Sequence, residues 1–190
     1  MITNVNHWLK YVKKNNDAYF TEPNKYILPI IKYIPNNIDT IVMIGCTNGR
    51  DFIPFSNEKY NLIGLDIFNK NDIDFVDGIY INYIKINDNN EVIKKLKEIN
   101  INLDNTLFLS NFTLYRTPYI AQEILDFFKN FIINEPLPGD YSKPIYLNNY
   151  TKFSKIKNGW ERSDSSHIIC KLNISEENIQ KYFEEAISPK

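Results

Sequence analysis

Residues 40 to 68, TIVMIGCTNGRDFIPFSNEKYNLIGLDIF, constrain the fold more than any other stretch of the chain. They set an apolar run, Val42, Met43 and Ile44, before a turn bracketed by Gly45 and Gly49, and a second apolar run that ends in Asp66, seventeen positions beyond Gly49. A short run without polar interruption is how a parallel strand covered on both faces looks in sequence. A glycine turn directly after it lets backbone come close to a ligand where a Cβ would collide, and a following short helix turns its free N–H groups toward the same place. An acid closing the next strand is placed to accept both hydroxyls of a ribose. The stretch therefore predicts the start of a βαβ unit with a nucleoside-binding edge.

The alternation continues downstream. Strands are expected over 40–46, 61–67, 79–86 and 106–111, with helices over 51–56, 90–99 and 118–133. The N-terminal part has helical spacing over 4–15, and Pro23 precedes a second helix expected over 24–34 that Pro35 ends. After Pro136, Pro138 and Gly139 the pattern changes: PIYLNNY (144–150) and HIICKLNI (167–174) read as strands joined by a polar connection, with a short helix or tail from 175. Strands alternating with helices predict an α/β fold with a mostly parallel sheet and helices on both faces. One domain over 1–190 is expected, because a chain of this length supports a single core. Residues 1–38 are read as a cover for the pocket, 40–133 as the binding core and 140–190 as late strands and tail.

Composition narrows the partners. The formal net charge is −1, with 43% hydrophobic and 24% charged residues, so nothing draws the chain generally toward nucleic acid or an anionic membrane. The basic cluster Lys152, Lys155, Lys157 and Arg162 is interrupted by Glu161 and Asp164 and reads as a solvated loop. Cys46 and Cys170 are the two cysteines, with no C-x-x-C or paired histidine, so no metal site is expected. No stretch approaches the ~20 apolar residues of a membrane span, and the reading is a cytoplasmic protein with no membrane partner. Oligomeric state is not legible.

The turn lacks G-x-G-x-x-G spacing, which makes a nicotinamide dinucleotide the less favoured ligand. Its G-x-x-x-G, with an acid ending the next strand, resembles motif I and the acidic strand of the class I S-adenosylmethionine-dependent methyltransferases. That motif runs acid-x-Gly-x-Gly-x-Gly, and the aligned positions here are Met43, Gly45, Thr47 and Gly49, of which the last three positions carry two glycines. Thr47 can replace the middle glycine if its φ is negative. The resemblance implies a single-domain Rossmann-like fold with an antiparallel last strand inserted into a parallel sheet. It implies S-adenosylmethionine as cofactor and a cofactor site made of Gly45, Cys46, Thr47, Asn48, Gly49, Asp66, Ile67, Asp88, Ser110 and Asn111. Asp66 would take the ribose, Ile67 and Asp88 the adenine, and Ser110 and Asn111 the methionine end. Asp88 reads equally well as a helix N-cap.

On the acceptor side, Tyr19, Tyr115, Arg116 and Trp160 are candidate substrate contacts, in polar, aromatic-bearing segments next to apolar strands. His167 is the candidate base, because with His7 it is one of two side chains that titrate near neutrality unperturbed. His7, Trp8 and Glu22 share the N-terminal cover. SNFT at 110–113 is not the signature of enzymes that methylate base or protein amides, so the acceptor is expected to be a small molecule or sugar hydroxyl. Two alternatives stand beside methyl transfer: a non-catalytic binding or regulatory protein of this fold, and another nucleotide-binding α/β protein.

Overall fold

Apolar residues of neighbouring parity along the central strands go to opposite sides of one sheet, which is what buries both faces. In the computed structural model the described residues are 22–24, 26–56, 60–68, 70–72, 74–111, 113–114, 118–136, 153–156 and 166–187. The strands are β1 (Thr40–Ile44), β2 (Asn61–Asp66), β3 (Asn82–Lys85), β4 (Thr106–Asn111), β5 (Asn130–Pro136), β6 (Phe153–Ile156) and β7 (Ser166–Lys171). They form one seven-stranded sheet in the order β3-β2-β1-β4-β5-β7-β6. β1 pairs in parallel with β2 and β4, β2 with β3, and β4 with β5, while β7 runs antiparallel to both β5 and β6. The fold is thus Rossmann-like α/β, mostly parallel, with an antiparallel last strand.

On one face Ile41, Met43, Leu62, Leu107, Leu109, Ile132 and Ile168 join Phe52 and Phe55 of the 3-10 helix Arg50–Phe55. Ile30 of the 3-10 helix Leu28–Tyr33 and Tyr182, Phe183 and Ala186 of a C-terminal helix complete that core. On the other face Val42, Ile44, Ile63, Leu65, Phe108, Phe131 and Ile133 meet two further helices. These are α1 (Val92–Glu98), through Val92 and Leu96, and α2 (Pro118–Phe127), through Ala121, Ile124 and Leu125. The C-terminal helix is α3 (Glu176–Ile187). Phe108 of β4 stacks on Phe128 just beyond α2, centroids 4.4 Å apart, and fully burying such a side chain contributes about 1.5 to 3 kcal/mol.

The chain leaves β1 for β2 and β3 on one side, then returns through α1 to β4 on the other. The order therefore reverses between β1 and β4, and the crevice beyond their carboxyl ends is the topological switch point where open α/β sheets hold ligands.

Several expectations change. Residues 130–136 form β5 instead of the end of a helix over 118–133, and α2 stops at Phe127. A short apolar run such as FII cannot be told from helix by periodicity, and here it is covered on both faces as an interior strand. The segment read as a polar connection contains β6. The helices expected over 24–34 and 51–56 are both 3-10; Pro29 sits in the first turn of one, where proline is tolerated, and Pro54 lies inside the other and removes a backbone donor there. The strand expected over 79–86 shortens to β3, and residues 75–81 lie as irregular backbone from which Phe75, Ile79 and Ile81 pack on the first core. The helix expected over 4–15 and the strand expected over 144–150 lie outside the described residues. No helix among the described residues is long and apolar enough to cross a membrane.

Candidate functional site

The turn after β1 folds around three residues in the left-handed region: Gly45 at φ 68°, Thr47 at φ 48° and Gly49 at φ 83°. The condition under which Thr47 could replace the middle glycine, a negative φ, is therefore not met. A β-branched residue there is strained, and such strain persists only where surroundings hold it. The holder is Asp66: its Oδ2 accepts the Thr47 N–H at 2.8 Å and its Oδ1 accepts the Ile67 N–H at 2.7 Å. The Gly45 N–H donates to the Leu65 carbonyl at 2.8 Å, so the start of the turn is sewn to the end of β2. Asp66 is 5% exposed, so the carboxylate that anchors the turn is almost wholly enclosed.

The glycines do not all face the crevice. A Cβ on Gly49 would run into Ile81 Cδ1, with Phe75 close behind, so this glycine serves core packing and its own φ. A Cβ on Gly64 of β2 would sit 2.6 Å from Cys46 Sγ, because the Cys46 side chain turns into the first core. Burial, with Asp66 and Asp51 adding to it, pushes the Cys46 thiol well above its usual range. Among the described glycines Gly45 is the one that meets the residues just beyond β4, since a Cβ there would collide with Thr113 Oγ1. Asn48 is buried, its carbonyl accepting the Val76 N–H at 3.0 Å and its side chain the Arg50 N–H at 3.3 Å.

Beside the turn lies a second buried acid, Asp51, that no motif singles out. Asp51 accepts the Asn24 N–H at 2.7 Å and the Asn24 side-chain amide at 2.6 Å, and Arg50 Nε stands 3.8 Å away. Burial raises its carboxyl above the ordinary aspartate value, while Arg50 and the Asn24 bonds pull the other way. Two residues on, Tyr26 donates to the Ser110 carbonyl at 3.2 Å and its own carbonyl accepts the Tyr182 hydroxyl at 3.0 Å. Asn24 is thereby tied to the residues following the glycine turn, and Tyr26 to the end of β4 and to α3.

At the ends of β4 and β5 the structure adds Glu135 and Asn134, which a helix over 118–133 had hidden. Glu135 Oε1 accepts the Ser110 hydroxyl at 2.8 Å, the Leu114 N–H at 3.0 Å and the Thr113 N–H at 3.3 Å. Asn134 donates its amide to Asn111 Oδ1 at 2.9 Å, and among the described residues nothing donates to the buried Asn134 Oδ1. Ser110 is fully buried and committed to Glu135, so its hydroxyl does not line an open cleft.

Of the expected cofactor residues, Gly45, Thr47, Asp66, Ile67, Ser110 and Asn111 gather at the carboxyl ends of β1, β2 and β4, whereas the side-chain directions of Cys46 and Gly49 lead into the core. Asp88 is exposed and accepts the Asn90 N–H at 2.8 Å, which is the N-cap arrangement. His167 lies in β7 opposite Glu135 in register. Tyr19, Tyr115, Arg116 and Trp160, with His7 and Trp8, lie outside the described residues; Glu22 is an exposed residue at their margin.

No protein-family model and no curated protein sequence matches the chain. A crystal structure from Shewanella sp. PV-4, provisionally described as a riboflavin biosynthesis protein, is similar at 16% identity over 70% of this chain and 73% of that one, with a TM-score of 0.30. A likeness of that size carries no inference about activity.

Proposed function

We propose that the protein is an S-adenosylmethionine-dependent methyltransferase acting on a small molecule or sugar hydroxyl. The observation that supports this most is the sheet: a mostly parallel order whose last strand, β7, is inserted antiparallel between β5 and β6, as in the family that the glycine turn resembles. At its switch point the turn and Asp66 stand together, and a ribose would lie on Asp66 with the adenine toward Ile67 and Asp88. The sulfonium end would then point to the end of β4, beside Asn111 and the amide pair it makes with Asn134.

Bound there, S-adenosylmethionine would supply an activated methyl group for in-line transfer to the acceptor oxygen, with a neutral thioether as the leaving group. Rate comes mainly from holding the acceptor about 3 Å from the methyl and excluding water. The hydroxyl proton passes to a base, for which His167 is the candidate. Asn134 Oδ1, a buried acceptor, suits a neutral ligand carrying an O–H or N–H and disfavours an anionic oxygen. The near-neutral charge supports a small-molecule acceptor over nucleic acid, and a cytoplasmic location accords with the lack of an apolar spanning helix among the described residues.

One observation favours a second reading, a non-catalytic binding protein: Thr113 occupies the space over Gly45 where a cofactor would approach. Calorimetry with S-adenosylhomocysteine separates the two. Micromolar binding supports the enzyme, and no heat at millimolar ligand removes it.

A further inference from the structure

One oxygen of Glu135 gathers three donors from residues that border the switch-point crevice. The Ser110 hydroxyl and the Thr113 and Leu114 N–H groups all converge on Oε1. Glu135 is 3% exposed, and Leu114 and Ser110 are fully buried, so the arrangement is part of the folded interior. Thr113 also donates its hydroxyl to the Asn111 carbonyl at 3.0 Å, which sets its side chain, and its Oγ1 fills the place that a Cβ on Gly45 would take. We propose that Glu135 is a positioning residue that holds Thr113 over Gly45, so that the crevice between β1 and β4 is gated by a carboxylate two strands away from the turn. The inference rests on that crevice being the cofactor site.

The chemistry favours a gate. Three hydrogen bonds converging on one buried carboxyl oxygen, two of them from the backbone N–H groups of Thr113 and Leu114, make the backbone at 113 and 114 hard to move. The Thr113 side chain, by contrast, is only half-buried and hangs on one hydroxyl bond to a carbonyl. Ligand entry then requires Thr113 to turn aside while the backbone behind it stays fixed, which leaves a firm wall for the bound molecule.

Thiol labelling in the full chain tests this without presuming a ligand. Thr113→Cys is made alone and together with Glu135→Gln or Glu135→Ala, and modification by an aromatic disulfide reagent is timed; native Cys46 and Cys170 are buried and form the background. The expected order of rates is Ala fastest, at least tenfold above Thr113→Cys alone, with Gln between them because its amide oxygen still accepts. Equal rates in folded variants, or Gln no slower than Ala, overturn the proposal. Should the Glu135→Ala combination fail to fold, the rate of Thr113→Cys with Glu135→Gln against Thr113→Cys alone decides. In parallel, Thr113→Ala should tighten S-adenosylhomocysteine binding at least threefold, and weaker or unchanged binding counts against the gate. Wild-type protein that binds no S-adenosylhomocysteine ends the methyltransferase reading, and the labelling rates still decide the gate.

Discussion

Thr47 shows how far a residue can be read alone. As a letter it departs from a glycine motif; in the structure it holds φ 48° because Asp66 takes its N–H. A left-handed conformation costs an L-residue about 1 to 2 kcal/mol, partly offset by the extra chain entropy that glycine loses on folding. Thr47→Gly should therefore raise the unfolding free energy by up to about 1 kcal/mol, read from urea denaturation midpoints; a destabilised variant would mean the threonine side chain contributes more than its strain costs. The placing of Asp66 beside the turn was legible from its spacing, and its anchoring of Thr47 was not, since no sequence pattern reveals which N–H a carboxylate will meet. Asp66→Ala is accordingly expected to do two things: weaken S-adenosylhomocysteine binding by roughly 1.5 to 3 kcal/mol, and destabilise the fold by about 1 to 3 kcal/mol through the unsatisfied Thr47 N–H. Calorimetry and denaturation on one preparation check both. For Gly49→Val the expected loss is of folding itself, because the new side chain meets Ile81 and the backbone sits at φ 83°.

Among the elements, the 3-10 helix Arg50–Phe55 is where the N-terminal segment is moored, through Asp51 and Asn24. Burial raises the Asp51 carboxyl, so in the fold it holds its proton to higher pH than in the unfolded chain. The stability it contributes is therefore fully present below the ordinary aspartate value of 3.8 and is lost as pH rises through the raised folded value. Asp51→Asn cannot ionise. The difference in unfolding free energy between variant and wild type should move in the variant's favour across that window, measured by denaturation between roughly pH 3 and 7. A flat difference would show that Arg50 and Asn24 fully offset the burial. Further along, Tyr182→Phe removes the hydroxyl that α3 gives to the Tyr26 carbonyl, and about 1 kcal/mol should go with it in thermal unfolding.

For the whole molecule, the first core predicts chemical inertness at both thiols. Cys46 and Cys170 are buried, and burial pushes the Cys170 thiol up to about 12, so native protein at pH 8 should react with a thiol reagent only as fast as it opens. Rapid labelling of either thiol would contradict the packing of the first core. Much of the central sheet was readable beforehand: β1, β2 and β4 come from uninterrupted apolar runs bounded by glycine or polar residues, and their burial on both faces is the reason such runs exist. The first half of the candidate site, Gly45 to Asp66, was readable for the same reason, because a turn and a strand end are local features. β5 was not, since FII at 131–133 has no period to distinguish strand from helix, and with β5 went Glu135 and Asn134. By itself the sequence determined which segments must be buried and where backbone had to turn tightly, because hydrophobicity and glycine act on neighbours in the chain. Only the tertiary structure decided the sheet order, the insertion of β7, and the meeting of Glu135 with Thr113 and of Asp66 with Thr47, because those contacts join residues far apart along the chain whose approach is set by packing.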